Sequence, residues 1–397
     1  MDILASSAHR LDISAFGFII FAMRVGILLC LLLAGVAPAD DSLNVRLVGR
    51  LRQESSPVAV AVNGDRAFLA GILTGLTVVS VANPASPIQT GSLSDMLHAV
   101  AADGDYVYAL GPGSALRVIS VADSAHPTEV GRCEAETEAW SLAVAGEYAY
   151  VTAANDSLLM VISVADPTQP TVVGECLLPQ RAGGICVVGS HAYVADRDSG
   201  LRIMSLADPV QPVEVGCCGS HSRAGCVAVR GDYAFVGDDA GGLQTISIAD
   251  PALPVEISYL QTPHFARTIA VAGDQAYLSC DEFGLRVLDI HDPADPVEVG
   301  YYVSESAWSN YLAADGGYIY VARSNGLGVF EFYGQGSGGT PEVGGQPAER
   351  EPTVVRRLPP GAVTFDAAGR RILHPKPGIY FVRTEATAAP RKVLIVK

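Results

Sequence analysis

Apolar and polar residues alternate along most of this chain in short runs, and the runs come in sets of four. Residues 270–300 hold the plainest set. Ala270-Val271-Ala272 leads into Gly273-Asp274, and Gln275-Ala276-Tyr277-Leu278-Ser279 forms a second run before the acidic pair Asp281-Glu282. Leu285 to Ile290 makes the third run, Asp292-Pro293-Ala294-Asp295-Pro296 punctuates it, and Val297-Glu298-Val299-Gly300 is the fourth. β-Branched and aromatic runs of this length, cut by Gly, Asp and Pro, predict strands and turns and leave no room for ordinary helices.

The set recurs. The glycine closing its first run falls at Gly64, Gly104, Gly146, Gly189, Gly231, Gly273 and Gly316, at spacings of 40, 42, 43, 42, 42 and 43 residues. Four strands per period of this size predict an all-β, seven-bladed β-propeller in which each unit buries its faces against its neighbours. The seventh unit stops after Phe332 with three strands. Its fourth is expected from the other end of the chain, at 45–51, which would close the ring and remove two free edges.

Charge changes the picture at the ends. The net charge is −16. Residues 40–334 hold 14 basic against 35 acidic residues, a net −21, whereas 352–397 carry +7 from 9 basic and 2 acidic residues. So acidic a body repels phosphate backbones, which excludes nucleic acid as a partner. At the N-terminus, Arg24 precedes the 13-residue apolar run Val25 to Ala37, and Ala37-Pro38-Ala39 follows it. This is the order of a signal peptide, and the run is short for a membrane span. Residues 1–39 are read as that signal, with 1–22 superfluous if Met23 is the true start.

The third strands and their turns, such as Val78-Val79-Ser80-Val81, Arg117-Val118-Ile119-Ser120-Val121 and Arg286-Val287-Leu288-Asp289-Ile290 followed by Asp292-Pro293, resemble the LVIVD repeat across 45–333. Where that motif carries Asp, this chain has Ser80, Ser120, Ser163, Ser205 and Ser247, and only Asp289 matches. The resemblance implies an exported or surface propeller (40–334) and brings no catalytic residues. A Gly/Pro linker follows at 335–351. Residues 352–397 form a small C-terminal β module, a partial Ig-like unit. Its Asp366-Ala367-Ala368-Gly369-Arg370, Pro377-Gly378-Ile379-Tyr380-Phe381-Val382 and Arg391-Lys392-Val393 blocks resemble a type IX secretion sorting domain. That resemblance implies secretion machinery as a partner. It implies a secreted or outer-surface location in a Gram-negative-type bacterium, or the periplasm if the tail does not sort.

Two loop faces follow from the strand order. On one, Gly-Asp and Asp-Pro-x-x-Pro turns repeat, and Asp166, Asp208, Asp250 and Asp292 read as turn formers. The other varies between units, as a binding surface does. Six residues before the turn glycines stand His98, Trp140, Arg267 and Asn310, and two residues earlier stand Arg181, Arg223 and Trp308. These seven are the candidate ligand-binding residues, for an extracellular carbohydrate, peptide or anionic group held by stacking and ion pairing. Asp196, Asp198, Asp238, Asp239, Asp281 and Glu282 offer hard oxygen ligands, which makes calcium the one cofactor to consider. Seven cysteines follow the signal, and Cys186 with Cys226 is the best candidate for a disulfide. Cys133, Cys176 and Cys218 fall on outer strands too far apart to bridge. The expected function is an exported, monomeric binding and interaction module. The alternative is a secreted hydrolase or lyase using loop carboxylates, although no Gly-x-Ser-x-Gly or His-Glu-x-x-His motif is present.

Overall fold

The computed structural model describes residues 41–334, apart from 54–55, 113, 135–137, 154–155, 239–240, 282 and 305–308, together with five strands of the C-terminal segment. Side chains are described within 41–334 except at 41, 114–115 and 309–310. The signal-peptide segment and the linker lie outside the described residues. The chain divides into two compact units between residues 337 and 338.

The first unit is a ring of seven antiparallel sheets. Blades 1 to 6 span 59–93, 99–133, 139–177, 185–218, 224–261 and 268–303, each with its strands in sequence order from the inside out. Blade 7 takes three strands from 309–332 and its outermost from Val45–Arg52, which pairs antiparallel with Gly326–Phe332. The expected closure by the first strand is therefore the observed one. The chain start does more than the pattern predicts. Asp41–Leu43 pairs with Val297–Val303 as a fifth strand on blade 6, so one N-terminal segment spans the seam between two blades. Asn44 makes the corner in the left-handed region (φ 55°), and its Nδ2 donates to Val299 O at 2.8 Å.

Seven apolar clusters, made by facing blade surfaces, form the core. The repeated turns have the structural role expected of them. The amide of the residue after the third strand donates to the first-to-second turn in six blades, as in Val81 N to Asp65 O at 2.7 Å and Ile290 N to Asp274 O at 2.8 Å. Asp166, Asp208, Asp250 and Asp292 each accept, through Oδ1, the amide two residues on at 2.9–3.2 Å.

The outer-strand glycine has a separate cause. A Cβ on Gly91, Gly131 or Gly216 would overlap a backbone carbonyl of the next blade's Asp-led turn: Ser124, Pro167 or Pro251. Close backbone approach in these three blades leaves room only for glycine. Blade 5 has Ser258 instead, and its hydroxyl donates to Pro293 O at 2.8 Å.

The C-terminal unit is a mixed five-stranded sheet ordered Thr353–Val355, Arg391–Ile395, Gly378–Arg383, Val363–Phe365, Arg371–Ile372, with the first pair parallel.

Candidate functional site

The innermost strands surround a central cavity of about 230 Å³. Each blade places the residue four before its turn glycine in the wall, giving an aliphatic ring of Val60, Val100, Leu142, Ile185, Val227, Ile269 and Leu312. The residues one and two places earlier lie toward the variable loop face and are not alike. They include His98, Trp140, Ser141, Cys226, Arg267, Thr268 and Tyr311. The mouth thus gathers an imidazole, an indole, a guanidinium and a phenol from four different blades.

Local backbone geometry sets these groups. The inner strands of blades 3, 5 and 7 slip register between Ala139 and Ser141, Ala224 and Cys226, and Ser309 and Tyr311. Trp140 stands at the first of these bulges, which frees it from the ladder and turns it outward; it is 45% exposed. His98 N donates to Leu110 O at 2.9 Å. Its Nε2 lies 2.9 Å from Ala139 O in the next blade, so that nitrogen carries the proton. Hydrogen bonds continue around the mouth from blade to blade. Thr152 Oγ1 donates to Gly183 O (3.2 Å), Gly184 N to Gly225 O (2.9 Å), Cys226 Sγ to Ala266 O (3.4 Å) and Leu312 N to Thr268 Oγ1 (3.1 Å).

Arg267 is held by three contacts. Its amide donates to Ser279 O at 2.8 Å, its Nε pairs with Asp281, and its guanidinium lies 5.5 Å from the Phe265 ring centre. Asp281 is buried and holds a positive φ of 45°, a strained conformation for a residue with a side chain. In the neighbouring blade, burial pushes the Tyr311 hydroxyl up, against the pull of Arg267. Tyr311 is therefore a neutral hydrogen-bond donor at physiological pH. The spacing rule stops one residue short of it, at Asn310, because a bulge cannot be read without the strand pairing.

Of the other candidate ligand-binding residues, Arg181 and Arg223 are exposed, do not line the cavity, and have interactions of their own. Trp308 and the side chain of Asn310 lie outside the described residues.

Three of the candidate calcium ligands, Asp196, Asp238 and Asp281, make contacts within the fold. Asp196 is buried, accepts Gln180 N at 3.1 Å and lies 3.9 Å from Arg202 Nε. Burial pushes its carboxyl up to about 6. Asp238 accepts Gly242 N and the Tyr259 hydroxyl, both at 3.0 Å. Burial, then that hydrogen bond, push the Tyr259 hydroxyl up to about 12. By strand register Cys280, not Asp281, holds the place of Asp196 and Asp238, so Asp281 falls one position later and meets Arg267. Asp198 is exposed, and Asp239 and Glu282 lie outside the described residues.

The expected Cys186–Cys226 disulfide is not formed. Their side chains share a direction on equivalent strands, so each enters the gap with the following blade. Cys186 packs in the layer between blades 4 and 5 and Cys226 in the layer between blades 5 and 6, with a sheet between them.

A ring of seven four-stranded blades defines a β-propeller. The LVIVD repeat model matches residues 58–95, 97–135, 137–177, 180–219, 222–262, 265–304 and 308–330, and the chain belongs to that family. No curated protein matches the chain. Among solved structures it is similar to the RRP9 WD40 repeats (12% identity, TM-score 0.58, covering 74% of this chain and 99% of that one). It is also similar to U3-55K (13%, 0.58, 75% and 100%) and to the computationally designed Ika8 protein (9%, 0.55, 72% and 99%). At these identities the likeness concerns the fold.

Proposed function

We propose that the protein is an exported binding and interaction module whose ligand enters the channel mouth on the variable loop face. The convergence of His98, Trp140, Arg267 and Tyr311 on one cavity carries this reading. Such concave sites with a few convergent polar groups on a rigid scaffold are the usual form of a binding site. Two carboxylates facing each other about 5–10 Å apart across the mouth would favour a glycoside-cleaving hydrolase. Among the described residues, those lining the cavity include no Asp or Glu, which favours binding over glycoside cleavage there. Export is supported by the apolar run Val25 to Ala37 and its flanks, and surface routing by the basic tail 352–397.

The test is a glycan and peptide array probed with the full chain and with its Trp140→Ala and Arg267→Ala variants. Binding that both substitutions weaken supports the reading. Binding that neither changes removes the mouth as the site. Deleting 352–397 should leave the protein inside the cell envelope, and undiminished release would remove the sorting role.

A further inference from the structure

We infer that the mouth captures the carboxylate of a peptide C-terminus, with the last side chain pointing down the channel onto the aliphatic ring. This rests on the mouth being the binding site and narrows it to one chemistry.

Arg267 supplies the first reason. Its ion pair with Asp281 uses Nε, so the two terminal NH2 groups of the guanidinium are not consumed by that contact. A fork fixed on one edge by a carboxylate and on its face by Phe265 is oriented before a ligand arrives. Two parallel N–H donors match the two oxygens of a carboxylate. Tyr311, kept as a neutral phenol beside Arg267, adds a further donor from the neighbouring blade.

Size supplies the second. A cavity of about 230 Å³ falls below the roughly 300–1,000 Å³ of sites that enclose a drug-sized ligand. It takes the tip of a longer molecule. The charge of the body, −21 over 40–334, discourages a polyanion and leaves a single terminal charge as the suitable anion.

The wall supplies the third. Beneath the mouth every blade contributes an aliphatic side chain. An apolar final residue buries its side chain there at a gain, while a sugar would set hydroxyls against that ring without partners. Trp140, half exposed at the rim, offers its face to the preceding residues.

The test is isothermal calorimetry of the full chain with short N-acetylated peptide pools, one pool for each natural residue at the last position. Each pool is prepared both as the free acid and as the C-terminal amide, and uronate-terminated oligosaccharides form a parallel arm. The expected result is binding by the acids ending in Leu, Ile, Val or Phe, with the amides weaker by about tenfold or more. Arg267→Lys should lose about tenfold and Tyr311→Phe a few-fold, with thermal unfolding confirming that each variant is folded. Equal binding by acid and amide, or Arg267-dependent binding by the oligosaccharides alone, overturns the inference while leaving a binding site at the mouth. Absence of any binding that depends on Trp140 or Arg267 overturns both.

Discussion

Arg286 on the third strand of blade 6 donates to Glu298 on the fourth at 3.1 Å, and the pair recurs around the ring at the same twelve-residue separation. Blade 4 has Arg202–Glu214 at 3.1 Å, blade 5 has Gln244–Glu256 at 2.6 Å, and blade 2 has Arg117–Glu129. In blade 3 both partners change together, to Met160 and Val172, which hold the same register positions. Blade 3 thus sets an apolar pair where blades 2, 4 and 6 set an ion pair, so that neither position holds a half-buried charge without its partner.

Glu298→Ala should therefore cost about 1–3 kcal/mol, since it strands a guanidinium whose side chain is only 10% exposed. The double change Arg286→Met with Glu298→Val, copying blade 3, should recover most of that loss. Urea unfolding of the single and double variants checks both. A double variant no more stable than Glu298→Ala would contradict the pairing.

The outer-strand glycines are predicted to be intolerant of any side chain. Gly131→Ala and Gly216→Ala drive a Cβ into the carbonyls of Pro167 and Pro251, and each should destabilise by about 2 kcal/mol or more. Ser258→Ala, losing only its bond to Pro293, should cost about 1 kcal/mol. Melting temperatures of the three variants, ranked in that order, are the measurement.

Removing 41–52 deletes the closing strand of blade 7 and the extra strand of blade 6 at once. The melting temperature should fall by roughly 10 °C or more, because two strand pairings are lost at once and each kcal/mol is worth about 2 °C in a domain of this size. Asn44→Ala gives a milder version of the same test. It should cost about 2 kcal/mol from the left-handed backbone and the lost bond to Val299, whereas Asn44→Gly retains the corner. Calorimetry showing no change in the truncation would refute ring closure as a source of stability.

Asp196 ties stability to pH. Its folded-state value is about 6, above the unfolded value of about 3.9. Between these values the folded protein binds the extra proton, so this group's contribution is full below pH 4 and is lost as pH rises through 6. A rise of that size in a carboxyl's pKa corresponds to about 2–3 kcal/mol. Asp196→Asn should flatten the stability curve between pH 4 and 6 and raise the melting temperature at pH 7.5. An unchanged slope in that window would show that Asp196 is not the group responsible.

The repeat period, the strand order, the structural role of the Asp-Pro turns and the closure at 45–51 can all be read from residue pattern, because each is a local signal written seven times. Counting back from the turn glycines also brings His98, Trp140 and Arg267 together. What escapes the pattern depends on pairing across strands. Tyr311 is hidden because a bulge moves it into the mouth. Asp281 aligns one place out because Cys280 takes the register of Asp196. The Cys186–Cys226 expectation fails because the two thiols lie in different inter-blade gaps, which spacing along the chain does not reveal. The fifth strand of blade 6 depends on the corner at Asn44, a single residue in a conformation its neighbours do not signal.

Ligand binding is predicted at the channel mouth on the variable face, and crystals soaked with a chemically diverse fragment set test this most directly. Density between Trp140, Tyr311 and Arg267, absent from crystals of the Arg267→Ala variant, is the predicted result. Fragments gathering on the Gly-Asp turn face or the outer strands, with the mouth unfilled, would contradict it.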